Sequence, residues 1–133
     1  MFDRTVQFSV LSEQPGENEK QFAQKLGQVL VLGDLRAGIM LFIYPQEQKL
    51  SFCMRGCDIP IDIVFLDKNL RIVNLYEMAV EPDRSGRTTY ESHVPVMYAL
   101  ELPGGTIKRV GIHVGDIAEF LGVPPASCAQ PGL

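Results

Sequence analysis

The sequence predicts a mainly β (α+β) fold: a compact, antiparallel, partly closed β-barrel or sandwich with one N-terminal helix and one short helical turn. Three observations carry this. Runs rich in β-branched and aromatic residues recur at short intervals, clusters of Gly, Pro, Asn and Asp separate them, and strands do not alternate regularly with helices. At 133 residues the chain is the size of one domain, 1–133, large enough to bury a single core.

"TVQFSVLS" (Thr5 to Ser12) alternates polar and apolar residues, the period of a half-buried strand. "EQPGENEK" follows as a turn, broken by Pro15 and Gly16. In "NEKQFAQKLGQVL" the apolar residues Phe22, Leu26 and Val29 stand near helical spacing after a cap at Asn18, which predicts the N-terminal helix. "AGIMLFIY" and "KLSFCM" flank "PQEQ" and predict a hairpin. "IDIVFLDKNLRIVNLYEM" predicts a second one, turning at Lys68 and Asn69 because Asn tolerates positive φ. "EPDRSGRTTYESH" is polar and aperiodic, and its composition predicts a mobile loop. "VPVMYALEL" is a further strand, "TIKRVG" a helical turn closed by Gly111, and "GIHVGDIAEFLG" a turn and a last strand. "VPPASCAQPGL" reads as a loose tail.

The net charge is −4, and the 12 Lys and Arg residues are scattered without a basic run. No broad electrostatic grip on nucleic acid or an anionic membrane is expected from such a chain. The opening "MFDRTVQFSVLSEQ" places charges where a signal peptide needs its apolar segment, and apolar runs fall well short of the ~20 residues that span a bilayer. The expected location is the cytoplasm.

Three cysteines do not make a secreted disulfide framework. In "FCMRGCDIPIDIVFLD", Cys53 and Cys57 would stand about 13 Å apart on an extended strand, too far to share an ion or a disulfide. They meet only if the chain bends at Gly56. Zinc would need two further ligands from His93, His113 or Cys128, none at ligand spacing, so neither metal nor cofactor is expected. A reactive thiol at Cys53 or Cys57, with a histidine as base, is the alternative.

Strand alternation selects other candidates. Asp62 shares a face with Val64 and Leu66, and Glu101 with Met97 and Ala99. A carboxylate among apolar neighbours is costly unless paired, and Arg55 is the nearest partner in sequence. Arg55, Asp62 and Glu101 are therefore predicted to form a polar groove. Gly104 and Gly105, ahead of a helical start, would offer N–H groups to an anion. The function expected is a non-catalytic module binding a small polar ligand or a protein partner. The alternatives are a cysteine-dependent enzyme, hydrolytic or redox, and an assembly module.

"GIMLF", "FCMRGCDIPIDIVFLD", "YALELPGG" and "GIHVGD", in that order, resemble the family known as domain of unknown function 192, over roughly residues 37–120. The resemblance implies a small β-rich domain of bacteria and archaea and implies no activity. Phe52, Met54, Ile59, Pro60, Asp62, Phe65 and Asp67 match the family pattern, and Arg55 stands for its usual Lys. Cys53, Gly56 and Cys57 take places where the family usually has Trp, Asn and Thr, and the N-terminal third departs from the pattern.

Overall fold

The computed structural model describes residues 4–10, 23–26, 28–34 and 38–121, and the predicted tail lies outside them. The frame is an antiparallel sheet of six strands: β2 (Ala23–Leu26), β3 (Val29–Asp34), β4 (Ile39–Gln48), β9 (Val96–Pro103), β6 (Ile61–Leu66) and β7 (Ile72–Met78), in that spatial order. β1 (Thr5–Ser9) pairs in parallel with β10 (Ile117–Leu121), and β5 (Ser51–Cys53) pairs antiparallel with β8 (Thr89–Glu91). The one helix among the described residues is α1 (Thr106–Val110).

The large sheet carries a core on each face. On one face Leu41, Val64, Leu66, Leu100 and Leu102 pack with Val6, Phe8, Ile107 and Ala118, so β1, β10 and α1 form the cover. On the other, Ile61, Ile63, Phe65 and Ala99 pack with Leu50, Phe52 and Met54, from β5 and the residues on either side of it. Aromatic rings run from Phe42 through Phe52, Phe65 and Tyr76 to Tyr90, with centroids 5.4–6.3 Å apart. All six residues of β6 are buried, as a strand covered on both faces must be.

This confirms a mainly β domain and corrects its finer form. Among the described residues the sheet is open, with β2 and β7 at its edges, and does not close into a barrel. No N-terminal helix is present there, and residues 23–26 and 29–34 are strands instead. Val31 and Leu32 pair with Phe42 and Leu41 and become almost fully buried, a gain that outweighs the weak helical spacing upstream. Gly33 closes that end at φ 85°, where a Cβ would collide with the Ile39 carbonyl oxygen. The expected hairpin of "AGIMLFIY" with "KLSFCM" does not form, because β4 runs on through "PQEQ" and β5 pairs with β8. The segment 81–93 is thus no featureless loop, since it contains β8.

Two local expectations hold. The β6–β7 turn is fastened by the Asp67 carboxylate, which accepts the Asn69 and Arg71 N–H groups at 2.9 and 3.0 Å. Its positive φ falls on Leu70 rather than Asn69. α1 ends at Gly111, left-handed, whose N–H donates to the Ile107 carbonyl at 2.8 Å.

Asp62 holds α1 onto the sheet. Its carboxylate, 1% exposed, accepts the Ile107 N–H at 2.8 Å and so caps a helix that has no side-chain cap of its own. Asp62→Ala would leave that buried donor unpaired and is expected to cost about 2–3 kcal/mol, read as a lower midpoint in urea unfolding. Asp62→Asn keeps an acceptor and should lose less.

Candidate functional site

Glu101 stands on β9, in the middle of the large sheet, opposite Met40 of β4 and Ile63 of β6. It shares the face of Ile63, Phe65 and Ala99. Asp62 is opposite Leu102 and shares the other face. The sheet therefore separates the two carboxylates that were expected to share a groove. Arg55 joins neither: it is exposed, and its Nε–H donates to the Ser85 carbonyl at 3.1 Å.

The glycine pair is accounted for by packing. The Gly104 N–H donates to the Pro60 carbonyl at 3.1 Å, and a Cβ on Gly104 would lie 2.8 Å from Pro60 Cβ. Gly105 takes φ 92° to open α1. The anion at this turn is the chain's own, since Asp62 occupies the Ile107 N–H. Thr106 Oγ1 turns back to donate to the Pro103 carbonyl at 2.6 Å.

Glu101 has a different environment. Among the described residues neither a hydrogen bond nor an ion pair reaches its carboxyl group, and burial pushes its pKa up to about 7. Tyr44 and Cys57 lie within its field. The Tyr44 phenol is pushed up by burial and then by Glu101. The Cys57 thiol is pushed up by burial, and further by Glu101, Cys53 and Asp58. These three groups, half-buried among Phe42, Phe52 and Ile63, make a polar patch on an otherwise apolar face.

A bend does occur between the cysteines. β5 ends at Cys53, and the Cys57 N–H donates to the Met54 carbonyl at 3.1 Å across a tight turn. Both are free thiols, Cys53 exposed and Cys57 half-buried. A raised thiol pKa is the reverse of what an activated nucleophile needs. Among the described residues no hydrogen bond links either thiol to His93 or His113, and no three metal-ligating side chains gather.

The 81–88 segment flanks this turn, and nothing in the sequence pattern reveals its role. The Glu81 carboxylate accepts the Arg87 and Thr88 N–H groups at 2.8 and 3.1 Å, which holds its pKa below the usual carboxylate range. A depression of about 260 Å³ is lined by Lys49, Leu50, Ser51, Glu91 and His93 where β5 meets β8. Tyr44 was legible in principle, since it repeats the parity of Met40 and Phe42 on one strand.

Residues 34–120 match the family described as Uncharacterized ACR, domain of unknown function 192. The chain belongs to that family. This member is 29% identical over 84 residues to the UPF0127 protein PF1050 of Pyrococcus furiosus, covering 62% of this chain and 67% of that protein. Two crystal structures are similar, each 25% identical. A candidate transcription regulator from Sinorhizobium meliloti 1021 matches 84% of this chain and 78% of its own, with a TM-score of 0.53. A protein of unknown function from Novosphingobium aromaticivorans DSM 12444 matches 86% and 73%, with a TM-score of 0.55. No helix among the described residues is long and apolar enough to cross a membrane.

The raised pKa of Glu101 makes its ionised form unfavourable in the fold. The folded-state value, about 7, lies above the ordinary 4.5, so the penalty is absent below about 4.5, grows between the two and is complete above about 7. Glu101→Gln, which stays neutral, is expected to gain about 1–3 kcal/mol over the parent as pH rises from about 5 to about 8, with partial exposure trimming the full shift. Urea midpoints of both proteins across that range measure it.

Proposed function

We propose that the protein is a non-catalytic module that binds a small polar ligand carrying a cationic or amine group at the Glu101 patch. One observation carries the reading. A half-buried carboxyl on the middle strand of the sheet has no partner of its own, an arrangement that raises its energy and is relieved by a bound cation. Tyr44 and Cys57 add hydrogen-bonding capacity beside it, and the surrounding rings suit the ligand's apolar part. Arg55 and the 81–88 segment border the Cys57 turn and serve as rim rather than floor.

The expected cytoplasmic location and the absence of nucleic-acid or membrane partners belong to the same proposal. A net charge of −4 supports them, and the transcription label of the Sinorhizobium protein is not carried over to this chain. Hydrolysis by a cysteine is the weaker alternative, because Cys57 is held protonated without a histidine bonded to it.

Thermal-shift measurements against primary amines and polyamines, with neutral and anionic analogues alongside, test the reading. Amines should raise the Tm of the parent and leave Glu101→Gln unmoved. Because an amine needs ionised Glu101, the effect should be larger near pH 8 than near pH 5. Equal shifts in parent and variant, or a response to anions alone, would remove the proposal.

A further inference from the structure

Cys53 and Cys57 bracket a turn on which the 81–88 loop is seated. The Gly56 N–H donates to the Arg84 carbonyl at 3.1 Å, the Arg55 Nε–H to the Ser85 carbonyl at 3.1 Å, and the Arg84 guanidinium pairs with Asp58 at 2.7 Å. At the centre of this contact lies Gly86, buried and with φ 74°. A Cβ on Gly86 would stand 2.7 Å from Arg55 Cβ and 3.0 Å from Cys53 Sγ. The Cys53 sulfur therefore forms part of the seat, pressed against loop backbone. Cys57 occupies the other shoulder of the turn, its S–H directed at the Arg55 carbonyl at 3.7 Å.

We propose that this turn is a dithiol–disulfide switch that reacts with low-molecular-weight disulfides, and that joining Cys53 to Cys57 unseats the 81–88 loop. Cys53, the exposed thiol, is the entry point. Its thiolate attacks one sulfur of a disulfide such as oxidised glutathione, the S–S bond breaks, and one glutathione leaves as a thiolate that takes up a proton. The Cys57 thiolate then attacks Cys53 Sγ in the mixed disulfide and expels the second glutathione. The protein loses two electrons and two protons, and glutathione disulfide is reduced to two thiols.

A disulfide requires Cα atoms within about 7 Å and sulfurs about 2 Å apart. The tight turn at Met54–Cys57 has already folded the chain back between the two residues. Bond formation draws the Cys53 sulfur toward Cys57 and off Gly86, and with it the wall against which the loop rests. The second attack is the slow step, since burial and the nearby Glu101 keep Cys57 protonated, so the mixed disulfide accumulates near neutral pH. The switch shares Cys57 with the Glu101 patch but needs no amine bound there.

The test uses the full chain carrying Cys128→Ser, because Cys128 lies outside the described residues. Reduced and glutathione-disulfide-treated proteins are compared by intact mass and by the rate of tryptic cleavage after Arg84 and Arg87, whose side chains are 60% and 79% exposed. Protein treated at alkaline pH, where Cys57 ionises, should lose the mass of two hydrogens, carry one Cys53–Cys57 cross-link and be cut severalfold faster at both arginines. Cys57→Ser should stop at a glutathione adduct on Cys53. Gly86→Ala, which crowds Arg55 as well as the same sulfur and so unseats the loop without a cross-link, should be cut fast in either redox state. The proposal is overturned by separate adducts on both thiols without a cross-link, by a cross-linked protein cut no faster than the reduced one, or by a Gly86→Ala protein cut as slowly as the parent.

Discussion

The pairing of β6 with β9 organises the molecule. β6 is buried along its whole length, so its residues must divide strictly between two cores, and β9 must match them residue for residue. A slip of one position would send Val64 and Leu66 to the wrong side and exchange the places of Asp62 and Ile63. Every functional feature of the protein inherits this register: which acid faces α1, which faces the cysteine turn, and which strand neighbours each can touch. The flanking pairs β1–β10 and β5–β8 are lids fitted to faces that β6 and β9 have already defined.

Two acids one register position apart on neighbouring strands, but on opposite faces, thus meet opposite fates. Asp62 is nearly inaccessible but satisfied, spending its charge on a backbone N–H of α1. Glu101 is more accessible but unsatisfied, and it holds its proton close to neutrality. The two differ in hydrogen bonding as well as in burial: α1 supplies a donor to Asp62, and no described residue supplies one to Glu101.

The sequence was most legible where partners are near in the chain. The β6–β7 hairpin and the Gly111 end of α1 both depend on contacts across a few residues, and both appear as expected, although the positive φ of the hairpin turn falls on Leu70. It misled where pairing is distant. Phe22, Leu26 and Val29 carried helical spacing, yet residues 23–26 and 29–34 are drawn into the sheet through β4. The strand after "PQEQ" takes β8 as its partner, about forty residues on, and no local pattern records that choice. For the site, alternation assigned Asp62 and Glu101 correctly within their own strands. What it could not supply was the relative phase of two strands separated by a long connection, and that phase places them on opposite sides. The bend at Gly56 is the converse case, a glycine whose conformational freedom the fold does use, at φ 70°.

The parallel pair β1–β10 has a consequence for how the protein comes into being. Gln7 and Glu119 touch across 112 positions of sequence, and Val10 donates its N–H to the Leu121 carbonyl. On a ribosome, β1 must therefore wait for β10 before the pair can form. Throughout that interval Val6 and Phe8 have no permanent shelter, and the leucines of β9 are uncovered on one side once they emerge. Synthesis of β10, rather than growth of a nucleus around β1, is the event that closes this half of the interior.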